Sequence, residues 1–368
     1  MHVSIATHEA ISIVEKETFI MDYSGKDARQ TTSANNRMIT KLRTFSQDSK
    51  ITVQISRLKS YDSHLKSKYN VEKYDLRSNF VFPEKVSNLI PRNTPDYVDQ
   101  GQNYVERIMR ALHHFKQCAL IGPSGTGKTH IVYLIAEIAG LPLWEINCGL
   151  QTTTYDLFGR YIGLGKENWV DGQIVSWARN GGILYLDEAN MMKQDVATRL
   201  NPLLDTRGHM VLTEKDNEII PRHPFAFVVI SMNPFSIEFS GTKPLNAAFR
   251  RRLSVWLNFD YLSIGQKITA EEVELVESKG RVSREDALQI VKAGAMLRAS
   301  YKKGELPYGP SVGDLVNWAT LVADSMDLIT AGDETIVTTT SDDTSIQDMV
   351  RRMIKTACMN NTVAANTQ

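Results

Sequence analysis

Gly122-Pro123-Ser124-Gly125-Thr126-Gly127-Lys128-Thr129 fits the pattern GxxxxGK[ST], and no other stretch restricts the fold of this chain as much. The apolar run Gln117-Cys118-Ala119-Leu120-Ile121 before it suits a buried strand, and His130 to Ala139 after it has helical spacing of its apolar residues. In a strand–loop–helix setting the glycines let the backbone turn tightly, so that successive N–H groups and the positive end of the helix face a di- or triphosphate. Lys128 would neutralise the β and γ phosphates, and Thr129 would offer its hydroxyl to Mg²⁺. Gly122 to Thr129, with His130 next to them, are the candidate ATP-binding residues. A chance glycine-rich turn is the competing explanation, and a second motif weighs against it.

That motif is Gly181-Gly182-Ile183-Leu184-Tyr185-Leu186-Asp187-Glu188-Ala189-Asn190. An apolar strand here delivers two carboxylates at its C-terminal end, where ligands collect in an open α/β sheet. Asp187 is suited to orient Mg²⁺, and Glu188 to polarise an attacking water. An acidic pair after an apolar strand means little alone; joined to the phosphate loop it points to nucleotide hydrolysis. A further apolar strand, Ala226 to Met232, ends in Asn233, whose amide could hold the attacking water or sense the γ-phosphate. A turn-forming Asn before Pro234 is the simpler reading of that residue alone. Arg250, Arg251 and Arg252 follow on an expected turn. They read either as a solvated basic face or, in a ring-forming ATPase, as guanidinium groups projected into a neighbour's active site.

The 368 residues leave room for one nucleotide-binding domain and an added helical domain, at ~100–200 residues per domain. Lys plus Arg balance Asp plus Glu at 42 each, so net charge gives no argument for nucleic acid, although a local basic stripe is compatible with it. Cys118, Cys148 and Cys358 are too scattered for a zinc quartet and suggest a reduced chain, with the first two in core strands. No run approaches the ~18 apolar residues of a membrane span, and the N-terminus lacks a signal pattern, so a cytoplasmic protein without membrane contact is expected.

Along the chain, 1–94 reads as an N-terminal region, small α/β or partly extended, with a short helix over Asn35 to Phe45 and a strand over Ile51 to Ile55. Leu58 to Lys73 reads as a lysine-rich solvated linker, and Pro83, Pro91 and Pro95 mark an extended approach to the nucleotide-binding core at 95–262. Within that core, hairpins are expected around Tyr161 to Asn168, inserted into a helix, and from Arg207 to His223; Met191 to Leu204 reads as one helix. The lid and tail, 263–368, are mostly helical: Ser283 caps a helix from Arg284 to Tyr301, Ser311 caps another reaching about Ile329, Asp333 to Asp343 forms a loop, and Thr344 to Met359 is a last helix. The fold class expected is an α/β P-loop core of three αβα layers with a parallel sheet and a C-terminal helical lid.

Residues 95 to 325 resemble the AAA+ ATPases, within them the clade with a hairpin in helix 2 and another before sensor 1. The likeness is to MoxR-type ATPases, including the ATPase subunit of aerobic cobaltochelatase and the ATPases that activate Rubisco and nitric-oxide reductase. It is carried by Gly122 to Thr129, Tyr155 to Arg160, Leu184 to Asn190, Pro221 to Pro234 and Gly241 to Leu253. The resemblance implies an ATP- and Mg²⁺-dependent ring homo-oligomer, a hexamer, that remodels a protein client, with a von Willebrand A domain partner. By position Asn233 matches sensor 1, Arg252 matches the family's arginine before an apolar residue and Arg250 a second arginine present in some relatives, either of which is a candidate for the one acting in trans. The sensor 2 arginine of the family falls at Gly313, a departure that implies weak hydrolysis or an arginine supplied from elsewhere. Lys166, Trp169 and the Glu214 to Glu218 tip are candidate client contacts. A nucleic-acid motor and a nucleotide-dependent scaffold with poor turnover are the alternative readings.

Overall fold

A computed structural model of the chain describes residues 64–77, 80–99, 101–149, 152–163, 168–234 and 245–359. The expected helix at Asn35 to Phe45, the strand at Ile51 to Ile55, Lys166, the 241–244 stretch and the C-terminal tail lie outside the described residues. The strands in chain order are β1 (Gln117–Ile121), β2 (Leu143–Asn147), β3 (Gly159–Tyr161), β4 (Trp169–Asp171), β5 (Gly182–Asp187), β6 (His209–Leu212), β7 (Glu218–Pro221), β8 (Ala226–Met232) and β9 (Trp256–Asn258). The helices are α1 (Tyr104–Phe115), α2 (Lys128–Ala139), α3 (Thr154–Phe158), α4 (Gln173–Asn180), α5 (Gln194–Leu204), α6 (Ala247–Arg250), α7 (Ala270–Gly280), α8 (Arg284–Lys302), α9 (Val312–Ala323), α10 (Leu328–Gly332) and α11 (Thr344–Met359).

Five strands form one parallel sheet in the order β2-β5-β8-β1-β9. Its strands read as continuous apolar runs because both faces are covered: every residue of β8 and all but the last of β1 and β5 are buried. One face packs on α1 and α2 through Ile108, Leu112, Ile131 and Ile135, the other on α4 and α5 through Ile174, Trp177, Val196 and Leu200. Order and register place β1 between β8 and β9, with β5 beyond β8. The C-terminal ends of β1, β5 and β8 therefore open side by side, at the point where the connection order reverses. Cys118 and Cys148 are buried as expected, and burial pushes both thiols up to about 12, so neither is a reactive thiolate.

From His64 on, where it is described, the stretch expected to be a solvated linker packs on the core. His64 to Lys68 is helical, Val71, Tyr74 and Leu76 are buried in the same core as α1 and α2, and Lys68 and Lys73 pair with Asp96 and Glu106. The lysines are spaced between aromatic and aliphatic residues that bury, so the charge run marks one exposed face rather than a free segment. Further on, Glu137 of α2 is buried and accepts the N–H groups of Asn93 (2.9 Å) and Thr94 (2.8 Å), which fixes the approach to Pro95.

The helical lid has its own core, built from α7, α8, α9 and α11 around Val276, Ile290, Leu297, Trp318 and Ile354. Ser283 accepts the N–H of Asp286 at 3.1 Å and caps α8, and Ser311 with Asp314 forms a reciprocal capping box on α9. Gly294 of α8 is where Leu315 of α9 packs directly on the backbone. Two expectations need correction here. The helix from Ser311 ends at Ala323, and α10 starts separately behind an Asp327 cap. Asp333 to Asp343 is not a loop: Asp333–Val337 forms a π-turn continuing α10, and Thr338–Thr340 remains helical. The hydroxyls of Thr335, Thr338, Thr339 and Thr340 each donate to the carbonyl four residues earlier, and Ile336 and Val337 are buried, so tertiary burial overrides the weak helix propensity of threonine. Met191 to Leu204 is likewise divided into a 3-10 turn at Ala189–Met191 and α5.

Candidate nucleotide site

Between β1 and α2 the loop closes through Gly125 (φ +72°) and Gly127 (φ +83°), backbone that only glycine adopts without cost. The next residue, Lys128, is the first of α2 and is buried. Its ammonium donates to the carbonyls of Gly122 (2.7 Å) and Pro123 (2.6 Å) and to Asn233 Oδ1 (3.3 Å). Burial lowers its pKa from 10.5 to about 8, and the negative charges of Asp187 and Glu188 oppose that shift. The loop thus holds its cation folded against its own carbonyls, where an incoming phosphate could take their place.

Thr129 sits one residue on, its hydroxyl 3.4 Å from Asp187 Oδ2 and 3.0 Å from the Tyr185 hydroxyl. Ser231 hydrogen-bonds Asp187 Oδ1, and the Glu188 N–H reaches the same oxygen at 3.0 Å. Glu188 is exposed at the cavity and carries a left-handed backbone (φ +51°), which turns its carboxylate away from the line of β5. The structure therefore brings Lys128, Thr129, Asp187, Glu188 and Asn233 together on the ends of three adjacent strands. Sequence reading missed Tyr185 and Ser231. Both lie two positions before a candidate residue in a strand, and so share its face.

These groups floor a cavity of about 630 Å³ whose other walls are the Pro95–Val98 segment and the lid residues Leu275, Lys279, Ser311, Gly313, Val316 and Asn317. His130 Nε2 donates to the Pro95 carbonyl at 2.9 Å, and its ring stacks on Tyr97 with centroids 6.2 Å apart. It fixes the wall segment above the loop. Gly313 is on the lid wall, with only Ser311 Oγ, at 3.4 Å, near where a Cβ would stand. The donor set suits a triphosphate with a divalent cation: backbone amides and one cation for phosphate, and a hydroxyl beside a carboxylate for metal. Among the described residues no cluster of three or more His, Cys, Asp or Glu could hold a metal ion unaided.

Arg250 and Arg252 are not among the cavity residues. The Arg250 guanidinium lies 4.4 Å from the Trp256 ring centroid, while Arg252 meets Asp205 at 3.3 Å and donates to the Ala248 carbonyl at 2.7 Å. Arg207, and after it Arg252, hold the Asp205 carboxyl well below the usual carboxylate range. The two hairpins, β3–β4 and β6–β7, are bridged by Arg179 of α4, which reaches Asp171 at 2.9 Å and Glu218 at 2.7 Å. Of the candidate client contacts, the Trp169 indole donates to Asp171 at 2.7 Å and Glu214 receives both arms of Arg199, while Lys166 lies outside the described residues. The large apolar side chains that the hairpins expose are Ile162, Val170, Val211 and Ile219.

A parallel sheet in this order, a phosphate loop after β1, an acidic pair after β5 and a helical lid over the opening define an AAA+ P-loop protein of the MoxR type. Comparison with known proteins agrees: the AAA domain (dynein-related subfamily) matches residues 117–253, and the CbbQ/NirQ/NorQ C-terminal domain matches 272–357. The chain is 34% identical over 208 residues to the denitrification regulatory protein NirQ of Stutzerimonas stutzeri, covering 56% of this chain and 72% of NirQ. To CbbQ of Hydrogenophilus thermoluteolus it is 30% identical, covering 72% of this chain and 96% of CbbQ, and to NorQ of Paracoccus denitrificans it is 30% identical, covering 70% and 92%. The chain belongs to the CbbQ/NirQ/NorQ family of AAA+ proteins. No described helix is long and apolar enough to cross a membrane.

Proposed function

We propose that the chain is an ATP-hydrolysing motor that works as a ring, of six copies, and remodels or activates a protein client, with a von Willebrand A domain protein as partner. The observation that carries this reading is the convergence of Lys128, Thr129, Asp187, Glu188 and Asn233 on one cavity between sheet and lid, while Arg250 and Arg252 stand outside it. Lys128 exchanges its loop carbonyls for phosphate oxygens and neutralises their charge. Thr129 and Asp187 would hold Mg²⁺, which when bound neutralises charge on the terminal phosphates. Glu188 takes the proton of the water that attacks the γ-phosphorus as the bond to the bridging oxygen breaks, and Asn233 orients that water. Arg250 or Arg252, directed at a neighbouring copy, stabilises the charge that develops on the transferring group. Because Arg179 ties both hairpins to α4, a change at the end of β5 would move them together against a client.

The test is ATP turnover as a function of protein concentration, since a site completed by a neighbour gains activity as copies assemble. Specific activity should rise with concentration in the wild type. In Arg250→Ala/Arg252→Ala it should fall by about 10³-fold or more; full activity in that double variant excludes the trans role. A scaffold that binds ATP and turns over poorly is the second reading, favoured by Gly313 on the lid wall where the family has an arginine. Turnover near zero in the assembled wild type would select it.

A further inference from the structure

Arg298 of α8 is fully buried, although nothing in the phosphate chemistry requires it. Its Nε donates to the Pro310 carbonyl at 2.7 Å, its Nη1 donates to the Ser263 carbonyl at 3.0 Å and pairs with Glu272 of α7 at 2.9 Å, and its guanidinium lies 4.8 Å from the Tyr261 ring centroid. Tyr261 in turn donates to the Gly309 carbonyl at 3.1 Å. One planar cation therefore holds the connector at Ser263, the start of the lid at α7, and the turn that leads into α9. The residue after Pro310 is Ser311, whose Cβ stands 2.2 Å from where a Cβ on Gly125 would be. The lid thus touches the apex of the phosphate loop through the residue that follows the one Arg298 anchors. Arginine suits this place because its fork spans acceptors that a single ammonium could not reach together.

We infer that Arg298 is a positioning residue for the nucleotide: it sets Ser311 and the start of α9 against the phosphate loop, and so fixes how the lid closes on the triphosphate. This deepens the proposed function and depends on it. At the start of α9 the contact is one of shape, since Gly313, two residues beyond Ser311, brings no side chain, while Lys279 of α7 is the lid cation on the cavity. Loss of Arg298 should leave the core chemistry standing and loosen the grip on nucleotide, which raises KM for ATP far more than it lowers kcat.

The experiment measures binding of Mg²⁺ with the non-hydrolysable analogue AMP-PNP by titration calorimetry, and steady-state ATP turnover, in full-length wild type, Arg298→Lys, the apolar replacement Arg298→Met/Glu272→Met, and Asp333→Asn. The double variant removes both buried charges together and keeps the lid foldable. Asp333→Asn loosens the distant Arg351 pair and reports on general lid weakening. Arg298→Lys and the double variant should bind AMP-PNP at least tenfold more weakly, with kcat within about threefold, while Asp333→Asn binds like wild type. Wild-type affinity in either folded Arg298 variant overturns the inference, as does an equal loss in Asp333→Asn. A wild type that binds no AMP-PNP overturns instead the reading of the cavity as an ATP site.

Discussion

The two walls of the cavity are built on different principles. The sheet side concentrates charge and hydrogen-bonding groups: Lys128 already has three acceptors, and Asp187 is held by Thr129, Ser231 and the Glu188 N–H. The lid side presents the aliphatic Leu275 and Val316, the start of α9 with Gly313, the amide of Asn317 and one cation, Lys279, and keeps Arg298 wholly inside. On the proposed function, recognition of phosphate lies mainly with the sheet, where preorganised donors work in a low dielectric, and closure with the lid.

The largest break in this comparison should come from Glu188→Gln, which keeps the shape of the sheet wall and removes its base. ATP turnover is expected to fall by about 10²–10⁴-fold with binding retained; normal turnover would remove Glu188 from the chemistry. A smaller effect tests the strain of the buried ammonium. Because the folded pKa of Lys128, about 8, lies below its ordinary 10.5, the unfolded chain binds more protons between those values. The penalty is complete below pH 8 and fades as pH rises towards 10.5. Lys128→Met should therefore stabilise the nucleotide-free protein by about 1–3 kcal/mol at pH 7 and by less at pH 10. Melting curves at the two pH values check this, and equal shifts at both would contradict it.

The smallest effect sharpens the lid side. Gly313 lies in the first turn of α9 with space for a methyl group, so Gly313→Ala should stabilise the lid by about 0.5–1 kcal/mol. ATP affinity should not change, because the wall works there by backbone position. A several-fold change in affinity would show that the flexibility of glycine itself is used.

What could be read from the sequence follows the same division. The sheet wall was legible because its chemistry is local: GxxxxGK[ST] and an acidic pair after an apolar run each carry their geometry in consecutive residues. The bracing of the lid was not, because Arg298, Glu272, Ser263 and Pro310 meet only in the folded lid, and a lone arginine in a helix reads as surface charge. The Leu58 to Lys73 stretch, where it is described, failed for a related reason: its lysines stand out in the composition, while Val71, with Tyr74 and Leu76 just beyond it, enters the core. At Asp333 to Asp343 the threonines suggested a loop. The burial of Ile336 and Val337 against α9 and α11, together with hydroxyl bonds back along the chain, decided for helix.

That one triphosphate is shared by the phosphate loop and the end of β5 is tested most directly by titrating Mg²⁺·ATP into Glu188→Gln and into Lys128→Ala/Glu188→Gln. Tight binding to the first and at least a hundredfold weaker binding to the second is the expected pair of results, about 2.7 kcal/mol or more apart. Equal affinity in the two proteins would contradict it.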